Sequence, residues 1–387
     1  MKRVAVLGAT GSIGTQALEL LEARADRFRV VLLSAHRSGK ALARLARSFR
    51  PDALALTHPE GVSSFREAFP GEEHGPRIFQ GRGALEEALR VLEPDLVVHG
   101  ISGAAGLGPT LAALEVRADL ALANKESLVM AGALVRETAR RQGVRILPVD
   151  SEHAAVFQCL KGEEGTGRVR RIFLTASGGA LRDVPEEELP SVSPAQVLRH
   201  PTWNMGPRVT VGSATMMNKA FEILEAHWLF DLPSEKIQVL IHRQSIVHAL
   251  VEFVDGSILA QMGVPDMRVP ILAALGWPER LPSELAPFDP VRFSQLTFQV
   301  PDPERYPALD LARRVLQMGG DSGAVLNAAD EVGTEAFLAG RIPFPKIVTL
   351  SRAVLEGHRP KQPSSLEEVL EADQEARKKA RRILEEW

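Results

Sequence analysis

Cysteine is nearly absent: Cys159 stands alone among 387 residues, so the chain forms no internal disulfide and no cysteine-based zinc site. Long apolar runs are missing too, none approaching the ~20 residues that a membrane span requires. Charge of neither sign dominates. With 46 Lys and Arg against 49 Asp and Glu, the formal net charge of −3 offers no handle for nucleic acid or an anionic membrane. The N-terminus, Met1 to Gly8, reads straight into a strand without a small-residue cleavage site, which argues against a signal peptide. These absences lead us to expect a soluble cytoplasmic protein. Tyrosine is down to one residue and basic charge rests mainly on arginine, a balance shared by GC-rich genomes and heat-adapted proteins. What is present is ordinary for a globular chain. Hydrophobic residues make up 45% and charged residues 25%, enough for a full core, and the length predicts two or three domains.

The stretch Val149-Asp150-Ser151-Glu152-His153 organises the rest. It follows an apolar run, Val144 to Val149, that reads as a buried strand, and residues two apart on extended chain share a face. Two carboxylates held together at a strand end repel each other, and a divalent cation with oxygen ligands relieves that repulsion. Alternatively, Asp150 or Ser151 caps a helix beginning near His153, with Glu152 in its first turn. The stretch alone does not choose between them.

Residues 1–149 read as a dinucleotide-binding domain. Val4 to Leu7 is a short strand, Gly8-Ala9-Thr10-Gly11-Ser12-Ile13-Gly14 a glycine turn, and Thr15 to Ala23 a helix. Such a turn lets backbone N–H groups and the helix N-terminus meet a pyrophosphate. The spacing is G-x-x-G-x-x-G, less specific than G-x-G-x-x-G, but its place after the first strand supports a dinucleotide. The second strand, Arg29 to Ala35, ends in His36-Arg37-Ser38-Gly39-Lys40, where an NAD site usually offers an acid to the ribose. Cations and hydroxyl there suit a 2′-phosphate, so NADPH is expected over NADH. Strands at 53–56, 96–99 and 120–123 alternate with helices at 84–92 and 109–115, which predicts a doubly wound, mostly parallel sheet. The loop Gly100 to Gly106 and the cluster Asn124-Lys125-Glu126-Ser127 follow two of these strands, where ligands of such sheets sit. A capped helix start would also explain Asn124 to Glu126.

Residues 150–276 read as a central domain. The strand Arg171 to Thr175 ends in Ala176-Ser177-Gly178-Gly179, which can offer a hydroxyl and N–H groups to an anion. His200-Pro201-Thr202-Trp203-Asn204-Met205-Gly206-Pro207 brackets an aromatic and a thioether with proline and glycine and carries no periodicity, a composition suited to a lid. A helix is expected from Ser213, as N-cap, to about Leu229, with Asn218, Lys219 and Glu222 on one face. An exposed helix face would look the same; taken together, however, Ser177, Ser213, Asn218 and Lys219 make a coherent phosphate pocket, and Glu222 a third carboxylate beside Asp150 and Glu152. His242 and His248, in the strands 237–242 and 246–253, read as structural or interfacial. Prolines at 278, 282, 287, 290, 301 and 303 mark 277–306 as a linker. Helical spacing over 308–317, 324–338 and 366–386 predicts a C-terminal helical domain, 307–387, with no chemistry of its own.

With these residues in hand the chain resembles the 1-deoxy-D-xylulose 5-phosphate reductoisomerase family, NADPH- and metal-dependent enzymes of isoprenoid precursor synthesis. The resemblance covers essentially the whole length. It rests on Leu7 to Gly14, Ala123 to Ser127, Pro148 to His153, Ala176 to Gly179, His200 to Gly206, Ser213 to Lys219 and Pro265-Asp266-Met267-Arg268, in that order. It implies a fold of three parts: an N-terminal Rossmann-like doubly wound parallel sheet, a central α+β catalytic domain and a C-terminal helical domain. It implies catalysis by Lys125, Asp150, Glu152 and Glu222, with Asp150, Glu152 and Glu222 holding Mg²⁺, Mn²⁺ or Co²⁺. Substrate oxygens would meet Lys125, Ser151, Glu152 and Glu222, its phosphate Ser177, Ser213, Asn218 and Lys219, and the loop bearing His200, Trp203 and Met205 would close over it. NADPH contacts would come from Gly8, Thr10, Gly11, Ser12, Ile13, Ala35, Arg37, Ser38, Asn124, Glu126 and Gly206, and the assembly would be a homodimer. Arg243 replaces a common proline, Ala220-Phe221 a common glycine-leucine, and Gly212 a common aspartate; none removes an implied ligand. Two other readings stay open: an NADP dehydrogenase of a hydroxy acid or semialdehyde, which needs no carboxylate triad, and a redox-sensing module, which needs neither triad nor lid.

Overall fold

The computed structural model describes residues 1–70, 75–203, 205–287, 289–291 and 293–387. By internal contacts these fall into two units. The first comprises 1–124, 135–150 and 267–282, the second 125–134, 151–266 and 283–387.

The first unit is built on β1 (Lys2–Leu7), β2 (Phe28–Ala35), β3 (Ala53–Leu56), β4 (Arg77–Gln80), β5 (Leu96–His99), β6 (Asp119–Leu122) and β7 (Ile146–Pro148). All pairings are parallel, in the order β4-β3-β2-β1-β5-β6-β7. The crossovers are α1 (Ser12–Glu22), α2 (Gly39–Phe49), α3 (Pro59–Ala68), α4 (Ala84–Leu92), α5 (Leu107–Glu115) and the later part of α6 (Lys125–Gln142). Because both faces of a parallel sheet are covered, its strands are apolar throughout, as in the fully buried β3 and β5. The chain winds outward from β1 to β4, then returns to β5 on β1's other side. That reversal opens a crevice at the carboxyl ends of β1 and β5, directly at the glycine turn after β1. A further helix, Arg268–Gly276, packs on α1 and so belongs to this unit, not to the central region where its sequence position placed it.

In the second unit α7 (Ser151–Cys159), β8 (Val169–Ala176), α8 (Pro194–Val197), α9 (Pro207–Ala214) and α10 (Met217–Phe230) precede β9 (Ile237–Ile241), β10 (Val247–Phe253) and β11 (Ile258–Met262). The helix Arg268–Gly276 is α11 in chain order; α12 (Ala308–Met318), α13 (Ser322–Leu338), α14 (Lys346–Glu356) and α15 (Leu366–Glu385) follow. The sheet order is β11-β10-β8-β9, with β10 antiparallel to β8 and β11, and β9 parallel to β8. Asp255-Gly256 closes the β10–β11 hairpin, as its turn chemistry predicts, whereas β11 itself was not foreseen. α12 to α15 do not stand apart: Leu311, Val325, Leu350 and Ala376 share one core with Ile172, Leu224 and Val251. Part of the expected linker pairs as well, Gln299 bridging Ile241 at the free edge of β9. Two linker residues, Phe288 and Arg292, lie outside the described residues.

Asp330 of α13 is fully buried, its Oδ1 without a hydrogen-bond partner among the described residues. Burial pushes its carboxyl up to about 7, with Arg208 opposing and Glu331 and Glu126 adding. A folded pKa above the unfolded one means the stability from this group is complete below the unfolded value and is lost as pH rises through 7. Asp330→Asn should therefore flatten the dependence of melting temperature on pH between 5 and 8 and raise stability at pH 8, with about 4 kcal/mol as the ceiling. Parallel melting curves for parent and variant across that range would contradict it.

Candidate active site

β7 ends at Pro148 and α7 begins at Ser151, so Asp150 stands just before the helix and Glu152 in its first turn. The extended-chain argument for their shared face is therefore corrected: Glu152 is helical, and the strand-to-helix turn sets the two carboxylates. Glu222 arrives from α10. One oxygen each of Asp150, Glu152 and Glu222 lies within 4.8 Å of the others. Glu222 is 1% exposed and Lys219, one turn before it, 3%. Lys219 Nζ donates to Glu152 Oε1 at 2.7 Å and also to Glu222 Oε2. Lys125 Nζ donates to Glu222 Oε1 at 3.0 Å, and Asn218 Nδ2 donates to the same oxygen. Burial alone works against the Lys219 ammonium, but Glu152 and Glu222 outweigh it and hold its pKa above the usual lysine range. An all-oxygen donor set of formal charge −3 suits a hard divalent cation, so these residues fit one.

Two residues here escaped the sequence reading. His153 is fully buried, its Nε2 2.9 Å from the carbonyl of Glu222 and its Nδ1 3.3 Å from Glu225 Oε2. Asp150, His153 and Glu225 form a second group of potential ligand atoms within 4.8 Å. The spacing of Glu222 and Glu225, three apart on one helix, was the available signal.

Ser177 follows β8, and its Oγ accepts from the N–H of Gly179 at 3.2 Å. His200 Nδ1 accepts from the N–H groups of Thr202 at 3.1 Å and Trp203 at 2.9 Å. The neutral ring therefore carries its proton on Nε2 and donates it to Ser177 Oγ at 3.0 Å. Burial and the charge of Arg182 lower the His200 pKa, which favours that neutral form. Ser213 is not an N-cap. Pro207 opens α9 at its first turn, Ser213 falls in its last, and Met216, left-handed at φ 59°, separates α9 from α10. Trp203 lies 6.4 Å from the His248 ring; Asn204 is outside the described residues. His242 Nε2 accepts from Val247 N–H at 3.1 Å and Nδ1 donates to the Thr297 carbonyl at 2.8 Å, a structural role.

In the first unit Gly8 (φ +76°) turns the chain after β1, its N–H on Ser34 Oγ at 2.9 Å. A side chain at Gly14 would meet the Gly8 carbonyl at 2.3 Å, so the helix can start this close to the turn only with glycine there. Thr10 lies in the turn, Gly11 is the N-cap of α1 with no side chain to block its N–H groups, and Ser12 and Ile13 open the helix. Ala35 ends β2, and His36, Arg37 and Ser38 follow it exposed. Asn124, buried, donates to the carbonyls of Ile101 at 2.8 Å and Gly103 at 3.0 Å and so ties down the 100–106 loop. In the second unit Glu126 lies 3.4 Å from Arg208 and Gly206 is the N-cap residue of α9.

Three family models match the chain: 1-deoxy-D-xylulose 5-phosphate reductoisomerase over 4–132, its C-terminal domain over 146–230, and the DXP reductoisomerase C-terminal domain over 262–379. The chain is 49% identical over 382 residues to the 1-deoxy-D-xylulose 5-phosphate reductoisomerase of Symbiobacterium thermophilum, covering 98% of both. The chain belongs to the 1-deoxy-D-xylulose 5-phosphate reductoisomerase family. The reductoisomerase of Thermomicrobium roseum is 48% identical, with 98% of this chain and 97% of that protein aligned. Among solved structures, the Zymomonas mobilis reductoisomerase in complex with NADPH matches at TM-score 0.92 and 42% identity over 100% of both chains. A DOX-P reductoisomerase in complex with NADPH, fosmidomycin and magnesium matches at TM-score 0.93 and 37% identity, covering 100% of this chain and 98% of that one. The departures of this reductoisomerase chain from the family motifs leave the cluster intact. Arg243 pairs with Asp183 at 2.5 Å, while Ala220 and Phe221 lie in the core.

Removing one carboxylate from the cluster should weaken cation binding directly. Mn²⁺ binding followed by electron paramagnetic resonance should be weaker in Glu222→Gln by roughly tenfold or more. An unchanged Mn²⁺ affinity would place the cation elsewhere.

Proposed function

We propose that the chain converts 1-deoxy-D-xylulose 5-phosphate to 2-C-methyl-D-erythritol 4-phosphate with NADPH and a divalent cation, an oxidoreductase step in isoprenoid precursor biosynthesis. The observation that carries this reading is the cluster of Asp150, Glu152 and Glu222 with Lys219 and Lys125 set into it. Neither a metal-free dehydrogenase nor a redox-sensing module requires such a cluster.

Asp150, Glu152 and Glu222 would hold the cation, Mg²⁺, Mn²⁺ or Co²⁺, which would supply Lewis-acid polarisation of the substrate's ketone and adjacent hydroxyl. Lys125 and Ser151 orient those oxygens. Lys219 and Asn218, which donate to the Glu222 carboxylate, would bind the substrate phosphate together with Ser177 and Ser213. His200 reaches that phosphate site through its hydrogen bond to Ser177, so the loop from His200 to Gly206, with Trp203 and Met205, is assigned to closing over the substrate and excluding water. NADPH supplies the hydride and lies on the turn of Gly8, Thr10, Gly11, Ser12 and Ile13, with Ala35, Arg37 and Ser38 at its ribose and Asn124, Glu126 and Gly206 as further contacts.

A homodimer is part of this reading. β11 is an edge strand with Ile258, Leu259 and Met262 exposed at 55%, 48% and 39%, which a second copy would cover. The site of action is assigned to the cytoplasm; among the described residues no helix is long and apolar enough to cross a membrane.

The test is NADPH oxidation at 340 nm with 1-deoxy-D-xylulose 5-phosphate, with and without chelator. Turnover that stops in chelator and returns with Mn²⁺ is expected; turnover that persists removes the metal from the mechanism. The absence of an acid after β2 predicts a kcat/KM for NADPH above that for NADH. Arg37→Glu should lower the NADPH value by roughly tenfold or more, since it sets a like charge beside the 2′-phosphate. Equal values for the two cofactors in the parent would overturn the preference.

A further inference from the structure

The loop after β2 does not stand alone at the ribose end of the cofactor turn. β2 and β3 pair in parallel with Ala35 opposite Leu56, so Thr57 and His58 emerge beside His36 and Arg37. Helices α2 and α3 then pack so closely that a side chain at Gly61 would meet the carbonyl of His36 at 2.3 Å. This holds the two strand ends in one register. His36 Nδ1 lies 2.8 Å from Thr57 Oγ1, and the His36 and His58 rings meet edge to face with centroids 4.9 Å apart.

The hydrogen bonds of His58 decide where its proton points. Its Nδ1 accepts from the N–H of Glu60 at 3.3 Å, as the N-cap of α3, so the neutral ring carries hydrogen on Nε2. Nε2 in turn lies 3.4 Å from Arg37 Nη2. In this tautomer the Nε2–H and the guanidinium both offer hydrogen to that gap, where one acceptor oxygen can take both. Among the described residues the carboxylate paired with these groups is Glu60, which is 73% exposed and reaches Arg37 Nε at 3.6 Å and His58 Nδ1 at 3.8 Å, not the gap itself.

We propose that His58, at the end of β3, together with His36, reads the cofactor's 2′-phosphate alongside Arg37, and that this pair makes the preference for the phosphorylated cofactor rise as pH falls. The proposal rests on the assignment of the ribose to the end of β2. Its chemistry is that of a phosphate monoester accepting Nε2–H of His58 and the guanidinium of Arg37, with the His36 ring close enough to share its field. The groups facing His36 are Thr57, His58, Arg37 and Glu60. Burial, then His58 and Arg37, hold the His36 pKa below its ordinary value, with Glu60 opposing. A phosphate dianion placed among them raises it. A group whose pKa rises on binding takes up a proton with the ligand, so affinity grows as pH falls; protonation of the phosphate itself near its second pKa of about 6 closes the window from below.

The experiment is isothermal titration of the full chain with 2′,5′-ADP and with 5′-AMP, which differ only in the 2′-phosphate, at pH 6.5, 7.5 and 8.5. In the parent the affinity ratio should favour 2′,5′-ADP and increase toward pH 6.5. His58→Asn keeps an N-cap acceptor for α3 and loses the Nε2 donor. It should lower the ratio by roughly tenfold at pH 6.5 and flatten its pH dependence. His36→Asn is the second variant; it should flatten the pH dependence with a smaller loss of affinity. If His58→Asn keeps the parent's ratio and slope while Arg37→Glu abolishes the preference, the phosphate sits on Arg37 alone and the role of the histidines is refuted. If Arg37→Glu also leaves the ratio unchanged, the ribose does not lie at the end of β2, and the underlying cofactor assignment fails with it.

Discussion

Concentrated negative charge is the constraint on which the catalytic half depends. Asp150, Glu152 and Glu222 converge within a few ångströms, and Glu222 has almost no contact with solvent. Carboxylates so placed stay ionised only if cations answer them from inside. Lys219 does so from the same helix and Lys125 from the start of α6, each within hydrogen-bond reach. Much of the local architecture serves that balance. The break at Met216 sets where α10 begins, and α10 presents Asn218, Lys219 and Glu222 together. Behind it His153 braces the backbone of Glu222 itself.

Lys219 and Asn218 of this set are also the groups assigned to the substrate phosphate. One set of side chains can thus serve both charges, held to the carboxylates by ion pairs and able to turn to an anion once a dication takes over the neutralisation. Charge exchange of this kind would couple metal and phosphate binding without any large rearrangement of backbone. The loop of His200 joins the arrangement by a single directed hydrogen bond to Ser177, whose direction is set by two backbone N–H groups on the far side of the imidazole.

A second network of ion pairs runs from Glu126 to the terminal helices. Arg208 at the start of α9 reaches Glu126 and Glu331, and Arg377 of α15 reaches Glu331 and Asp373. It ties the terminal helices to α9, the element that follows the His200–Gly206 loop, which is a physical reason for these helices to share a core with the central sheet.

Local sequence by itself determined most of the elements and singled out the side chains assigned to the site. Alternation and apolar runs placed β3, β5 and α4 to the residue, because a buried parallel strand and an amphipathic helix each leave an unmistakable period. Turn chemistry placed Gly8 to Gly14, since the positive φ at Gly8 favours glycine. Motif spacing named the carboxylates and lysines that the structure brings together. What the tertiary structure alone decided concerns residues distant in sequence or breaks in a continuous pattern. The helical period runs unbroken through Ser213 to Leu229, so nothing local announced the left-handed residue at Met216 or moved Ser213 from a cap to a helix end. Arg268–Gly276 has the composition of any buried helix, and only packing against α1 assigns it to the nucleotide-binding unit. His58 and His36 lie 22 positions apart, and their meeting depends on the parallel register of β2 and β3 and the close approach at Gly61. Sequence period encodes which face a residue occupies; register and packing, set by the whole chain, decide what that face meets.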